Sequence, residues 1–262
     1  MKEPQPKAPP KKKSDFLDAL QKGVLLGAAI LALVLPPVFY HRSHAPQSPH
    51  AIAHSAKNSA PLVADFGQVQ PSDEVRRVAN WSMTTQDHQK MSFIIVDKKQ
   101  AKVYVFDPSG HLKASAYALL GSAVGDDTVP GIGSKPIALV TPEERTTPAG
   151  RFIAKPGTSA SRNEDVVWVD YDAAVSMHRV INFVKAERRL ERIVSPDPAE
   201  HRISYGCINL PRDFYENAVA PAARAGAVIY VLPETRSVEQ QFGLPDAPDG
   251  AKVAALDSQA RQ

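Results

Sequence analysis

Between residues 92 and 232 the apolar residues fall into short runs, each closed by a turn signal, and that rhythm limits the fold more than any other feature of the chain. "SFIIVD" and "AKVYVFD" are β-rich, and "DPSG" at 107–110 is a turn signal between strands. "LKASAYALLG" reads as a third strand. After the Gly- and Pro-punctuated loop "GSAVGDDTVPGIGSKP" come "RFIA", "EDVVWVD" and "AAVSMH", and "VIYVL" is a last strand. Many short strands with few long helices predict a mainly β domain over residues 92–233, a sandwich or barrel-like fold. "VINFVKAERRLERI", residues 180–193, breaks the rhythm. It is rich in helix formers, with Phe183/Val184, Leu190 and Ile193/Val194 recurring every three or four residues, and predicts a helical insertion between strands. Two readings stand equal: a solvated surface helix with one buried stripe, or a lid.

The N-terminal part differs in kind. Residues 1–22 carry a lysine cluster, and 23–40, "GVLLGAAILALVLPPVFY", carry no charge. A run of about 18 such residues is just enough to cross the hydrocarbon of a bilayer as a helix. Pro36 and Pro37 would end that helix near interfacial Phe39 and Tyr40. Lysines before the run and none directly after it predict a cytoplasmic N-terminus. The expectation is a single-pass inner-membrane protein whose remaining domain is periplasmic or otherwise extracytoplasmic; a cleaved signal peptide is the competing reading. Residues 41–91 read as a Pro-, Ser- and His-rich tether ending in a short helix around "PSDEVRRVANW", where Val75, Val78 and Ala79 share a face. Residues 234–262 lack a sustained apolar face and read as a disordered tail.

Export changes how cysteine is counted. Structural cysteines in an oxidising compartment come in pairs, and this chain has one, Cys207 in "HRISYGCINLP". It is either an inert buried thiol or a reactive one. The neighbouring sequence favours reactivity. Gly206 permits a tight backbone, and the amides of Tyr205, Gly206 and Cys207 are oxyanion-hole candidates. "PRDFYENAVA" reads as a helix whose N-terminus would lie shortly after the thiol. A base is also needed. His41, His44, His50 and His54 belong to the tether, which leaves His88, His111, His178 and His201. His178 ends "AVSMH", and His201 approaches the cysteine loop.

Other chemistries are poorly supported. A net charge of +3, with basic and acidic residues interleaved, argues against nucleic acid. Gly131-Ile132-Gly133 lacks the rest of a dinucleotide or phosphate-loop pattern. No Cys/His spacing resembles a zinc site.

"SYGCIN" resembles the S/T-x-G-C-x-N/R signature of the L,D-transpeptidase catalytic domain, the YkuD type. "TTPAGRF" is similar to that family's T-P-x-G-x-F landmark, "FIIVDKKQAKVYVFD" with "ALLGSA" to its opening hairpin, and "SMHRV" to the strand bearing its histidine. The likeness covers about residues 92–233, with the landmarks in family order. It implies Cys207 as nucleophile, His178 as base, the Arg179 carbonyl orienting the imidazole, and Gly206 with Tyr205 in the oxyanion hole. Ser204 and Asn209 would be polar substrate-contacting residues beside the thiol, and His201 a fallback base. It implies acyl transfer on peptidoglycan stem peptides through a thioester, without metal or cofactor. An L,D-carboxypeptidase or other exported cysteine peptidase, or a non-catalytic peptidoglycan-binding protein, are the alternatives, with a protein as the alternative acceptor. Tyr205 stands where the family often has His, Asn209 where it often has Arg, and the stretch from His178 to Cys207 is longer than in many members.

Overall fold

The computed structural model describes residues 62–159 and 162–245 of the 262-residue chain. The expected membrane run at 23–40 lies outside them. Among the described residues no helix is long and apolar enough to cross a membrane.

Two mixed sheets share one core. The larger has the order β3-β2-β1-β11-β5, with β1 Ser92–Asp97, β2 Lys102–Phe106, β3 Leu112–Tyr117, β5 Gly150–Ile153 and β11 Ala227–Val231. β11 runs parallel to β1 and antiparallel to β5. The smaller sheet has the order β10-β8-β7-β6, from β6 Lys155–Ser159, β7 Glu164–Asp170, β8 Val175–Arg179 and β10 Ile208–Leu210. A parallel pair, β4 Leu120–Gly121 and β9 Arg202–Ser204, joins the two regions.

The unbroken apolar character of "SFIIVD" follows from period-two geometry on a sheet buried on both sides. Ile94 and Val96 face the shared core with Val103, Ile229, Met177 and Ile208. Phe93 and Ile95 face the other way, with Tyr104, Phe106 and Tyr230, into a second core. That second core is closed by α1, Asp73–Thr85, whose Val75, Val78, Ala79 and Met83 are all buried. Ser72 caps α1 by accepting from the Val75 amide at 3.3 Å, and its hydroxyl donates to Asp97 at 2.6 Å, fixing the helix to β1. Burying each valine contributes about 1.5–3 kcal/mol, so the expected short helix is a structural wall of the domain.

Four expectations need correction. The insertion is barely helical: after Val180 the chain has a 3₁₀ turn at Lys185–Glu187 and one α-turn, α2, at Arg189–Arg192. Its apolar period does not make a buried stripe, because only Ile193 is buried while Phe183 is 82% exposed. Helix formers supplied the pattern, but no facing surface accepts the stripe. Second, the tail is not disordered from 234. Asp126 accepts from the amides of Glu234, Thr235 and Arg236, and α4, Val238–Phe242, buries Val238 while Phe242 packs near Trp81 and Tyr230. Third, "LKASAYALLG" is two strands, β3 and β4, because the chain turns to pair Leu120 with Arg202. Fourth, the helix after Cys207 does not begin beside it. β10 intervenes, and α3 comes after it as Arg212–Phe214, a π-helical Tyr215–Val219 and Ala220–Ala225. The helix dipole, which acts within about a turn, is too far along the chain to be credited with activating the thiol.

Candidate active site

Cys207 sits in the turn from β9 to β10, and its neighbours fix that turn by hydrogen bonds. Gly206 has φ +122°, where a side chain is strained, and a Cβ there would stand 2.8 Å from the Thr146 carbonyl. The Ser204 hydroxyl accepts from the Gly206 amide at 3.1 Å and donates to the Cys207 carbonyl at 2.6 Å. Asn209 donates to the same carbonyl at 3.2 Å. Buried Thr147 spans two strand ends, accepting from Gly121 N–H at 2.9 Å and donating to the Gly206 carbonyl at 2.8 Å. This explains physically why a T-P-x-G stretch accompanies the cysteine loop. Below Thr147, fully buried Lys98 donates to its carbonyl at 3.0 Å and pairs with Asp126 at 2.9 Å.

His178 comes from β8, which lies parallel to β10 in a register that sets His178 opposite Asn209. Its Nδ1 lies 2.7 Å from the Arg179 carbonyl. An Nδ1–H donor there leaves Nε2 as the basic nitrogen. The residue that supplies this carbonyl is itself held, because the Arg179 guanidinium bridges Glu216 at 2.7 Å and Asp165 at 2.8 Å and lies over the Tyr215 ring. His178 is 4% exposed. Burial pushes its pKa down from 6.5 to about 4; the bond to Arg179 opposes this, and the charges of Arg162 and Arg189 add to it. At neutral pH the imidazole is therefore an uncharged proton acceptor.

Cys207 and His178 line one cavity of about 230 Å³, walled by apolar Ile137 and Ile181 and by Arg162 and Arg189. Cys207 is half-buried. Its thiol donates to the Ala174 carbonyl at 3.6 Å and stands 3.7 Å from the Ser176 hydroxyl. No hydrogen bond joins it to the imidazole among the described residues, so passing its proton to His178 requires the sulfur to turn from those two partners. Catalytic contacts that tighten only with substrate are common. Of the three candidate oxyanion donors, the Gly206 amide is engaged by Ser204, while those of Tyr205 and Cys207 carry no such bond among the described residues.

The remaining expected residues sort clearly. Ser204 and Asn209 reach the cavity, but their polar atoms are committed to the Cys207 turn and, for Asn209, to Arg189 at 2.9 Å. Tyr205 is exposed, with the Arg145 guanidinium 4.1 Å from its ring centroid. His201 is fully buried, with Nδ1 3.0 Å from the Ala118 carbonyl and Nε2 2.9 Å from the Ser195 carbonyl. With both nitrogens engaged away from Cys207, it has none to offer as a base in this arrangement. His88 is likewise buried between the Ser82 and Pro108 carbonyls, and His111 is an exposed partner of Asp107. Sequence reading missed Arg162. Its Nε is buried without a hydrogen bond, and the Glu164 carboxylate is 3.9 Å away. Nothing in its local sequence sets it apart. Among the described residues no cluster of His, Cys, Asp or Glu could hold a metal ion.

No family model matches this chain, and no curated protein does. Among solved structures, the chain is similar to the catalytic domain of an L,D-transpeptidase from E. faecium, at 15% identity and a TM-score of 0.34, over 55% of this chain and 98% of that one. It is similar to the Ldtfm–avibactam carbamoyl enzyme at 16% identity and a TM-score of 0.32, over 55% of this chain and 49% of that one. It is also similar to the helical cell shape determining protein Pgp2 from Campylobacter jejuni, at 12% identity and a TM-score of 0.33, over 56% of this chain and 50% of that one. The match thus spans nearly all of the isolated domain and about half of the longer chains. Likeness at these scores carries no argument about chemistry, which rests on the cavity itself.

Proposed function

We propose that the domain is a cysteine acyltransferase acting on peptidoglycan stem peptides, an L,D-transpeptidase, with Cys207 as nucleophile and His178 as base. The supporting observation is that an unpaired thiol and a neutral imidazole, oriented by a backbone carbonyl, line the same small cavity. The ordered motifs around them, read in the sequence, point the same way.

In the proposed reaction the Cys207 thiol passes its proton to His178 Nε2 as the sulfur attacks the carbonyl of the stem's third residue. Amides of the cysteine turn receive the oxyanion. As the tetrahedral adduct collapses the C–N bond breaks, and His178 returns the proton to the departing D-alanine amine, leaving a thioester. The amine of a second stem attacks the thioester carbonyl and gives a proton to His178. The C–S bond breaks as the new amide forms, and His178 returns the proton to sulfur. Covalent catalysis divides one acyl transfer into two lower barriers. Arg162 and Arg189 in the cavity wall suit a donor rich in carboxylates. We further propose that residues 23–40 anchor the chain in the inner membrane, with the domain outside the cytoplasm, where this substrate is found.

The test is mass spectrometry of the protein incubated with a carbapenem and, in a separate untreated sample, incubation with tetrapeptide muropeptides. Wild type should gain one acyl adduct and form muropeptide dimers; Cys207→Ala should do neither while keeping its melting temperature. An adduct on Cys207→Ala, or none on folded wild type, would sink the reading. Tripeptide products without dimers would replace transpeptidation by carboxypeptidase action.

A further inference from the structure

A second and larger concavity, about 820 Å³, is lined in part by Ala174, whose carbonyl accepts from the Cys207 thiol. Its walls are the turn after β7 and the loop after β4. Two aromatic rings dominate it: Trp168 and Tyr171 meet edge to face, with centroids 5.1 Å apart. Tyr171 is 69% exposed, although an aromatic of its size gains most from burial. The backbone is shaped around these rings. A Cβ on Gly157 would lie 2.5 Å from the Trp168 Nε1, so only glycine lets the indole lie against β6 there. A Cβ on Gly133 would lie 2.2 Å from the Asp172 carbonyl, so glycine is what seats the opposing loop on the 171–174 turn. The polar lining is hydroxyl and carboxylate, from Ser134, Thr158, Ser159 and Asp172.

The charges of the two concavities differ. The Cys207 cavity carries Arg162 and Arg189. The described residues lining the larger groove include no Lys, Arg or His and one carboxylate, exposed Asp172. A stem peptide brings its own carboxylates and finds partners only in the first. A neutral saccharide needs what the second offers: ring faces for its C–H surfaces, and hydroxyl and carboxylate acceptors for its O–H groups.

We propose that the Trp168–Tyr171 groove is a glycan subsite, binding N-acetylated β-linked sugar units of the strand that carries the stem. The proposal rests on the peptidoglycan reading for the identity of the glycan, and the groove's contact with Ala174 places that strand beside the peptide held at Cys207. Tyr171 and Trp168 stack on the sugar rings, and Asp172 accepts from their hydroxyls. Because the groove and the nucleophile are separate structures, sugar binding and acylation are separable.

The experiment is titration of the full chain with tetra-N-acetylchitotetraose, read by calorimetry or ligand-observed NMR, alongside carbapenem acylation of the same samples. Wild type and Cys207→Ala should bind the tetrasaccharide equally. Tyr171→Ala, an exposed turn position, should weaken binding roughly tenfold, the size of one lost stacking contact. Its acylation rate should stay within about twofold of wild type, since the nucleophile is untouched. Asp172→Asn serves as a second, near-isosteric variant and should weaken binding by a smaller factor. Absence of binding to wild type, binding unchanged in both variants, or displacement of the sugar by a free stem peptide would overturn the proposal. Sugar binding without acylation would instead sink the transferase reading and leave the groove assignment standing.

Discussion

The cysteine turn and the insertion from Val180 to His201 border the same cavity and are built in opposite ways. The turn is over-determined: Gly206 in a conformation only glycine takes easily, the Cys207 carbonyl accepting from both Ser204 and Asn209, and Thr147 bonded to both Gly121 and Gly206. The insertion exposes Phe183, Val184, Leu190 and Val194, and reaches the turn by a hydrogen bond from Arg189 to Asn209. His201 pins its far end between the Ala118 and Ser195 carbonyls. The difference teaches where precision is concentrated. The backbone that carries the thiol is held by short polar links, whereas the facing wall is made of local helical turns and Arg–Glu pairs worth little each.

The two histidines give the sharpest break between these regions. His178→Ala removes the proton acceptor and should slow carbapenem acylation about 10²–10⁴-fold. His201→Ala should leave the acylation rate per folded molecule nearly unchanged. It removes a buried ring whose nitrogens face two carbonyls, and a carbonyl left unsatisfied costs about 1–3 kcal/mol, so the melting temperature should fall. Reversed results would mean that the insertion, not β8, supplies the base.

Thr147→Val keeps shape and deletes two buried hydrogen bonds. A loss of about 2–4 kcal/mol in denaturant unfolding is expected, with acylation slowed because the Gly206 carbonyl loses its partner. A variant that unfolds normally and acylates at the wild-type rate would show that the turn is not held from this side.

The acid limb of acylation tests the electrostatics. His178 titrates at about 4 when folded, against 6.5 as an ordinary histidine. The rate should therefore persist as pH falls to about 5 and drop near 4. Stability takes the sign of a histidine with a depressed pKa: the unfolded chain takes up a proton that the folded chain refuses. The group's contribution is then intact above 6.5 and lost as pH falls from there to about 4, by roughly 3 kcal/mol in all. Arg189→Gln removes one of the charges that lower this pKa, so its acid limb should move to higher pH while staying below that of a fully exposed histidine. A limb that stays put would detach the insertion from the base.

The smallest effect is expected at Phe183→Ser, within about 0.5 kcal/mol of wild-type stability by urea unfolding. A larger loss would mean the exposed ring has a buried role in solution.

Much of this was legible in sequence. β1, β2, β7, β8 and β11 announce themselves by apolar runs between turns, and Cys207 and His178 by their motifs. β6, "KPGTS", did not, because it has no apolar alternation of its own and exists by pairing with β7. The insertion misled because helix propensity without a receiving surface is a weak prior. Lys98 was invisible for the opposite reason. "VDKKQ" reads as a solvated turn, yet Lys98 is fully buried because Asp126 and Glu234, distant in sequence, line its site with carboxylates. The same absent partners hid the ordered start of the tail.

The central position of β11 has a consequence for how the molecule is made. Its strand is inserted between β1 and β5, and among the described residues β5 has no other ladder partner. The sheet therefore stays open until Ala227–Val231 has arrived, far along the chain from β1 at Ser92–Asp97. A chain cut before Ala227 keeps β3-β2-β1 with β1 as a bare edge and leaves β5 without a ladder, a sticky fragment rather than a smaller domain.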